Sequence, residues 1–110
     1  MACQMNKSEI RVFLACGQED APVEGNASAI DTLTDTRVAD WISHQLVAGN
    51  QWAWCCVEVY AEYRGLRGDS DYLGCCSYKS EEDFRAGGYW EDMQAQAIRN
   101  LEDKWEKLHA

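Results

Sequence analysis

Apolar and polar positions alternate with period two from residue 52 to residue 63. Ala53, Cys55, Val57, Val59, Ala61 and Tyr63 fall on one face of an extended chain, and Trp52, Trp54, Cys56, Glu58, Tyr60 and Glu62 fall on the other. The pattern predicts a long strand buried on its first face. A run with the same character resumes at residues 72–78 after the turn-forming stretch 64–71, so the two predict an antiparallel hairpin. Helical spacing appears at Val38, Trp41, Ile42, Gln45 and Leu46, behind the capping residues Asp35 and Thr36 and ahead of the stop Gly49-Asn50. Ser80 followed by Glu81, Glu82 and Asp83 has the form of a capped helical turn that Gly87-Gly88 interrupts. A last helix is predicted from about residue 89 to 108, with an apolar stripe of Trp90, Met93, Ala97, Leu101, Trp105 and Leu108 and an Asp103–Lys107 pair one turn apart.

The N-terminal third is less patterned. Residues 10–16 carry the β-branched and aromatic side chains of a short buried strand that Gly17 should end. Residues 1–9 read as a frayed lead-in, and residues 18–31, with Gly, Asn, Ser and the single proline Pro22, read as a loop. The expected fold is therefore one α+β domain over residues 1–110, in strand, helix, strand, strand, helix order. Its small antiparallel sheet would carry both helices on the Val57/Val59 face.

Composition narrows the classes of function. The chain of 110 residues has five tryptophans and 46% hydrophobic residues, enough apolar side chain to offset the entropy of ordering. Its net charge is −9, with three basic and seven acidic residues in 1–55 and seven and twelve in 56–110, so no basic cluster exists to replace counterions on nucleic acid. Repulsion also disfavours anionic membranes, and no stretch reaches the roughly 20 apolar residues of a membrane helix. With no apolar core of a signal peptide at the N-terminus, the expected setting is the cytoplasm and the expected state of the six cysteines is free thiol.

The motifs favour binding over catalysis. The vicinal pairs Cys55-Cys56 and Cys75-Cys76 invite a four-thiolate zinc site, but neighbours in a strand point to opposite faces, whereas zinc knuckles space their cysteines by two or more residues. Small buried hydrophobes is the main reading, with Cys55 and Cys75 inward and Cys56 and Cys76 outward in one register. Arg67-Gly68-Asp69 belongs to the predicted turn, and Asp69, Asp71 and Gly74 begin a calcium-loop pattern that lacks the closing glutamate. His44 and His109 are the only histidines, and no spacing places either beside a cysteine as base to nucleophile, so no catalytic or metal-binding residue and no cofactor is assigned. The outward strand face is more telling. Trp52, Trp54 and Tyr60 beside Glu58 and Glu62 suit a protein interface, where aromatic residues dominate the contact energy.

Four runs carry a resemblance: Val38-Ala-Asp-Trp-Ile-Ser-His-Gln-Leu46, Gly49-Asn-Gln-Trp-Ala-Trp54, Tyr72-Leu-Gly-Cys-Cys-Ser-Tyr78 and Asp83-Phe-Arg-Ala-Gly-Gly-Tyr89. Together they resemble small uncharacterised proteins of tailed bacteriophages and prophages over residues 33–98, a group that brings no catalytic or ligand residue with it. The resemblance implies a setting in the bacterial host cytoplasm, where such small acidic proteins bind and disable host or defence machinery, CRISPR effectors included. The expectation is a non-enzymatic accessory protein that binds a host or defence protein through Trp52, Trp54, Glu58, Tyr60 and Glu62. Two alternatives stay open: a small metal-binding or redox protein using Cys56 and Cys76 with other thiols, and a structural phage component that covers its aromatic face by homodimerising.

Overall fold

A computed structural model describes residues 4–23 and 32–109, with the side chains of residues 32–36 left aside. Most of the expected 18–31 loop, residues 24–31, lies outside the described residues. The chain is α+β, with strand β1 (Arg11–Gln18), helix α1 (Thr32–Val47), strands β2 (Cys55–Tyr63), β3 (Leu66–Arg67) and β4 (Asp71–Cys76), and helices α2 (Glu81–Ala86) and α3 (Tyr89–Leu108). In the four-stranded sheet, β2 pairs with β1, with β3 and with β4. The alternation read from the sequence is observed: Cys55, Val57, Val59, Ala61 and Tyr63 are buried, and Cys56, Glu58, Tyr60 and Glu62 are half-buried.

The predicted hairpin forms, but its turn is tighter than expected. Tyr63 pairs with Leu66 and Glu62 with Arg67, so only Arg64 and Gly65 make the reversal. Both have positive φ, 49° and 84°, the mirror-image turn whose twist matches paired strands. The second arm then comes in two pieces, β3 and β4, where one strand from residue 72 was expected.

The chain divides into two units by contact density. The first holds residues 1–15, 58–72 and 88–110. Here α3 buries Met93, Ala97 and Leu101, three residues of the expected stripe spaced four apart, while Leu108 is exposed. The Tyr63 ring meets Trp105 edge to face at 5.1 Å, which seats α3 on the buried face of β2. The expected Asp103–Lys107 pair is absent among the described residues; Lys104 instead donates to the Arg67 carbonyl at 2.8 Å. Residues 4–9 also depart from expectation, because they dock rather than fray. The Tyr63 hydroxyl accepts from the Asn6 N–H at 3.1 Å, and Glu9 pairs with Arg64 at 2.9 Å.

The second unit holds residues 16–57 and 73–87. Its helix α1 ends as Gly49-Asn50 foretold. Gly49 takes φ 93°, its N–H bonds to Leu46 O, and the Asn50 N–H reaches Gln45 O, which satisfies carbonyls the helix end would otherwise orphan. Ile42 is fully buried with Ala53 and Trp54, and Val23 and Val38 pack against them. Trp41 and Leu46 sit at the exposed margin of the stripe. The Ser80 cap is present: its hydroxyl accepts from the Asp83 N–H, and Asp83 accepts from the Lys79 N–H at 3.0 Å, one residue before the expected return bond.

Candidate functional site

The half-buried side of β2 in the first unit carries a connected polar and aromatic cluster. One oxygen of Glu58 accepts from Arg67 at 2.9 Å, from the Ser70 hydroxyl at 2.6 Å and from the Tyr72 hydroxyl at 3.2 Å. The turn at Arg64-Gly65 brings these donors back over β2, and three donors on one carboxylate hold it in a single orientation. Beside it, the Arg67 guanidinium lies 3.6 Å from the centre of the Tyr60 ring. Tyr60 in turn stacks on Phe13 at 5.0 Å with a 17° tilt, and Arg11 lies 5.4 Å from the Phe13 ring centre. Phe13 and Tyr60 thus form a pair of stacked rings with a cation, Arg11 or Arg67, over each, an arrangement that rigidifies long side chains before any partner arrives. Glu62 shares this side of β2, and its carboxylate makes no hydrogen bond or ion pair among the described residues.

The five interface residues expected from the sequence separate. Glu58, Tyr60 and Glu62 lie on the half-buried side of β2 as expected. Trp52 and Trp54 do not continue that side, because the strand begins at Cys55. Residues Gln51–Ala53 form a 3-10 turn, capped where the Asn50 side chain accepts from the Trp52 N–H at 3.2 Å. Trp54 is buried, 6% exposed, and its indole donates to the Ala21 carbonyl at 2.8 Å. Trp52 packs on the Phe84 ring at 5.5 Å. Trp54 is therefore a core residue of the second unit and Trp52 is half-buried against Phe84, and the alternation carried both outward because it runs on in sequence through the 3-10 turn that precedes the strand. Phe13 and Arg67 were missed as site residues. The signal available was an odd-numbered aromatic on β1 and an arginine directly after a turn, neither specific by itself.

The cysteines arrange differently from the expected register. Cys55 is fully buried and Cys76 is 5% exposed, whereas Cys75 is exposed. Cys75 has φ 54°, the left-handed region that a side chain rarely adopts, and this kink turns Cys76 inward in place of Cys75. The Glu19 carboxylate holds the kink by accepting from the Cys75 N–H, and it also accepts from the Ala21 N–H at 3.2 Å. The Cys55 thiol on β2 has two others within hydrogen-bonding reach, Cys76 on β4 and Cys16 on β1, so three cysteines lie together on neighbouring strands. The bond to Cys76 raises Cys55 strongly, with burial adding to it, and the same bond lowers Cys76, helped by the Val57 N–H. Cys16 is raised by burial. Cys56 is half-buried, and no cluster among the described residues has the geometry of a metal site.

The Glu19 contact makes a prediction. Hydrogen bonds from Cys75 and Ala21 hold its carboxyl below the ordinary value of 4.5, so the stability it supplies is present above that value and is lost as pH falls through its lowered value. Thermal unfolding of Glu19→Gln and wild type should therefore differ most near neutrality and converge below about pH 4. A constant difference across that range would show that ionisation of Glu19 contributes nothing.

No protein-family model matches this chain. No curated protein and no solved structure matches it either. The functional reading therefore starts from site geometry. A cleft of about 400 Å³ lined by Gly17, Gln18, Leu46, Gln51 and Trp54 offers no titratable side chain among those five. His44 is exposed on α1, and His109 stacks on Trp105 at 3.9 Å. No helix among the described residues is long and apolar enough to cross a membrane.

Proposed function

We propose that this is a non-enzymatic binding protein whose contact surface is the Glu58–Tyr60–Glu62 side of β2, extended by Phe13, Arg67 and Tyr72. The observation that carries the reading is the pre-ordered stack of Phe13, Tyr60 and Arg67 locked by Glu58. Aromatic and arginine side chains dominate interface energies, and fixing them in advance removes part of the ordering entropy of association. Tyr72 adds a ring that is 64% exposed while its hydroxyl is held by Glu58. The partner chemistry follows from charge. Glu62 is an uncommitted carboxylate beside the stack on a chain of net charge −9, so the partner presents lysine or arginine around an apolar centre. The resemblance to small phage proteins supplies the setting, in which that partner is a host or defence protein in a bacterial cytoplasm.

Capture of tagged protein from a bacterial host lysate tests this, run beside Tyr60→Ala and Glu62→Arg. Each substitution should weaken retention of a stoichiometric partner about tenfold or more, while circular dichroism stays that of the wild type. Trp54→Ala is unsuitable as a control, since it empties a core position. Equal retention by wild type and both variants would remove this surface from consideration.

A further inference from the structure

Two thiols beside one buried sulfur are more than packing requires. Cys55 is fully buried at the start of β2, Cys76 is nearly so at the end of β4, and Cys16, on β1, is the most exposed of the three. We propose that this cluster is an oxidisable site, at which a hydroperoxide oxidises Cys76 and Cys55 closes a cross-strand disulfide onto it.

Strand geometry allows that bond and forbids its rivals. Strands β2 and β4 pair, and the Tyr78 N–H donates to the Trp52 carbonyl at 2.7 Å, so the start of β2 with Cys55 lies beside the end of β4 with Cys76. Cross-strand neighbours have Cα atoms about 4.5–5.5 Å apart, inside the roughly 4.4–6.8 Å that disulfides use. Vicinal residues are about 3.8 Å apart, so neither Cys55-Cys56 nor Cys75-Cys76 can close easily. The kink at Cys75 decides which cysteine of its pair is eligible, because it sends Cys76 toward Cys55 and Cys75 to solvent.

The chemistry balances within the site. As a thiol, Cys76 donates to the Leu73 carbonyl at 3.2 Å; as a thiolate it accepts from Cys55 and from the Val57 N–H. Its sulfur attacks one peroxide oxygen, the S–O bond forms as the O–O bond breaks, and the departing oxygen leaves as water or alcohol with the proton Cys76 gave up. Cys55 loses the anion that held its proton and becomes the nucleophile. Its sulfur attacks the sulfenic sulfur, the S–S bond forms, the S–O bond breaks, and hydroxide leaves with the Cys55 proton as a water molecule. Two thiols are oxidised by two electrons and one peroxide is reduced. Cys75 is a poorer competitor despite its exposure, since local desolvation and the Glu19 charge raise it.

The test uses the full reduced chain treated with one equivalent of hydrogen peroxide, alkylated under denaturing conditions and mapped by mass spectrometry. Cleavage after Arg37, Arg64, Arg67 and Lys79 leaves Cys55 with Cys56 in one peptide and Cys75 with Cys76 in another. The expected product is these two peptides joined with loss of two hydrogen atoms and separated again by dithiothreitol. The Cys56→Ser/Cys75→Ser double variant should still form the link, and Cys76→Ala should not. Oxidation confined to Cys56 or Cys75, a link that survives Cys76→Ala, or alkylation of both Cys55 and Cys76 after treatment would each overturn the proposal.

Discussion

Phe84→Ala should lower stability by about 3–5 kcal/mol, which is about 12–20 °C in Tm for a chain of this size. Phe84 is fully buried and is the one buried residue of α2. Its ring meets Trp52 at 5.5 Å and stands perpendicular to Tyr78 at 5.1 Å. A six-residue helix does not hold its shape by hydrogen bonding alone, since nucleation is unfavourable and isolated helices need roughly 12–15 residues. The Ser80 cap contributes about 1 kcal/mol, so most of what fixes α2 is this one side chain. Thermal unfolding followed by tryptophan fluorescence checks it, because Trp52 loses its neighbour as α2 detaches. Phe84→Leu, which keeps most of the volume, should cost about 1–2 kcal/mol. A change below about 1 kcal/mol for the alanine variant would mean that α2 is anchored elsewhere.

How much of this was legible depends on which force decides each position. The buried side of β2, the stop of α1 and the Ser80 cap were legible because each is set by a local pattern or by the chemistry of a few neighbouring residues. The buried core of α3 was legible through Met93, Ala97 and Leu101, one turn apart. Trp52 and Trp54 were misplaced because alternation continues in sequence past the point where the Asn50 cap ends extended geometry. A period-two pattern cannot announce its own boundary. The inward turn of Cys76 could not be read at all, since it rests on a left-handed Cys75 held by Glu19, 56 residues away. The Phe13–Tyr60–Arg67 stack is likewise a product of strand pairing. Tyr60 stood out in sequence but Phe13 and Arg67 did not, and only the order of strands in the sheet places the three together.

Gly68→Val should cost about 3 kcal/mol or more, at the upper end of what overpacking does, because the obstacle is backbone. A Cβ at Gly68 would stand 2.7 Å from the Leu101 Cα, 2.8 Å from its nitrogen and 2.9 Å from its Cβ. Real contacts of that length essentially do not occur, and a helix axis yields less readily than a side chain. Helix α3 is also tied down on either side of the contact, with Asn100 donating to the Asp69 carbonyl at 3.0 Å and Lys104 to the Arg67 carbonyl at 2.8 Å. Moving α3 outward to admit the new side chain would break both bonds as well as unpack Leu101, which is fully buried. The Arg67-Gly68-Asp69 run is therefore a helix-packing site, and the glycine is there for want of room. Gly68→Ala should cost about 1–3 kcal/mol and Asn100→Ala about 1 kcal/mol by the same unfolding measurement. Near-wild-type stability for Gly68→Val would show that α3 can slide on the sheet. Because Arg67 directly precedes the contact and lies over Tyr60, the same variant should also loosen the proposed binding surface, so its loss of partner exceeds that of Asn100→Ala.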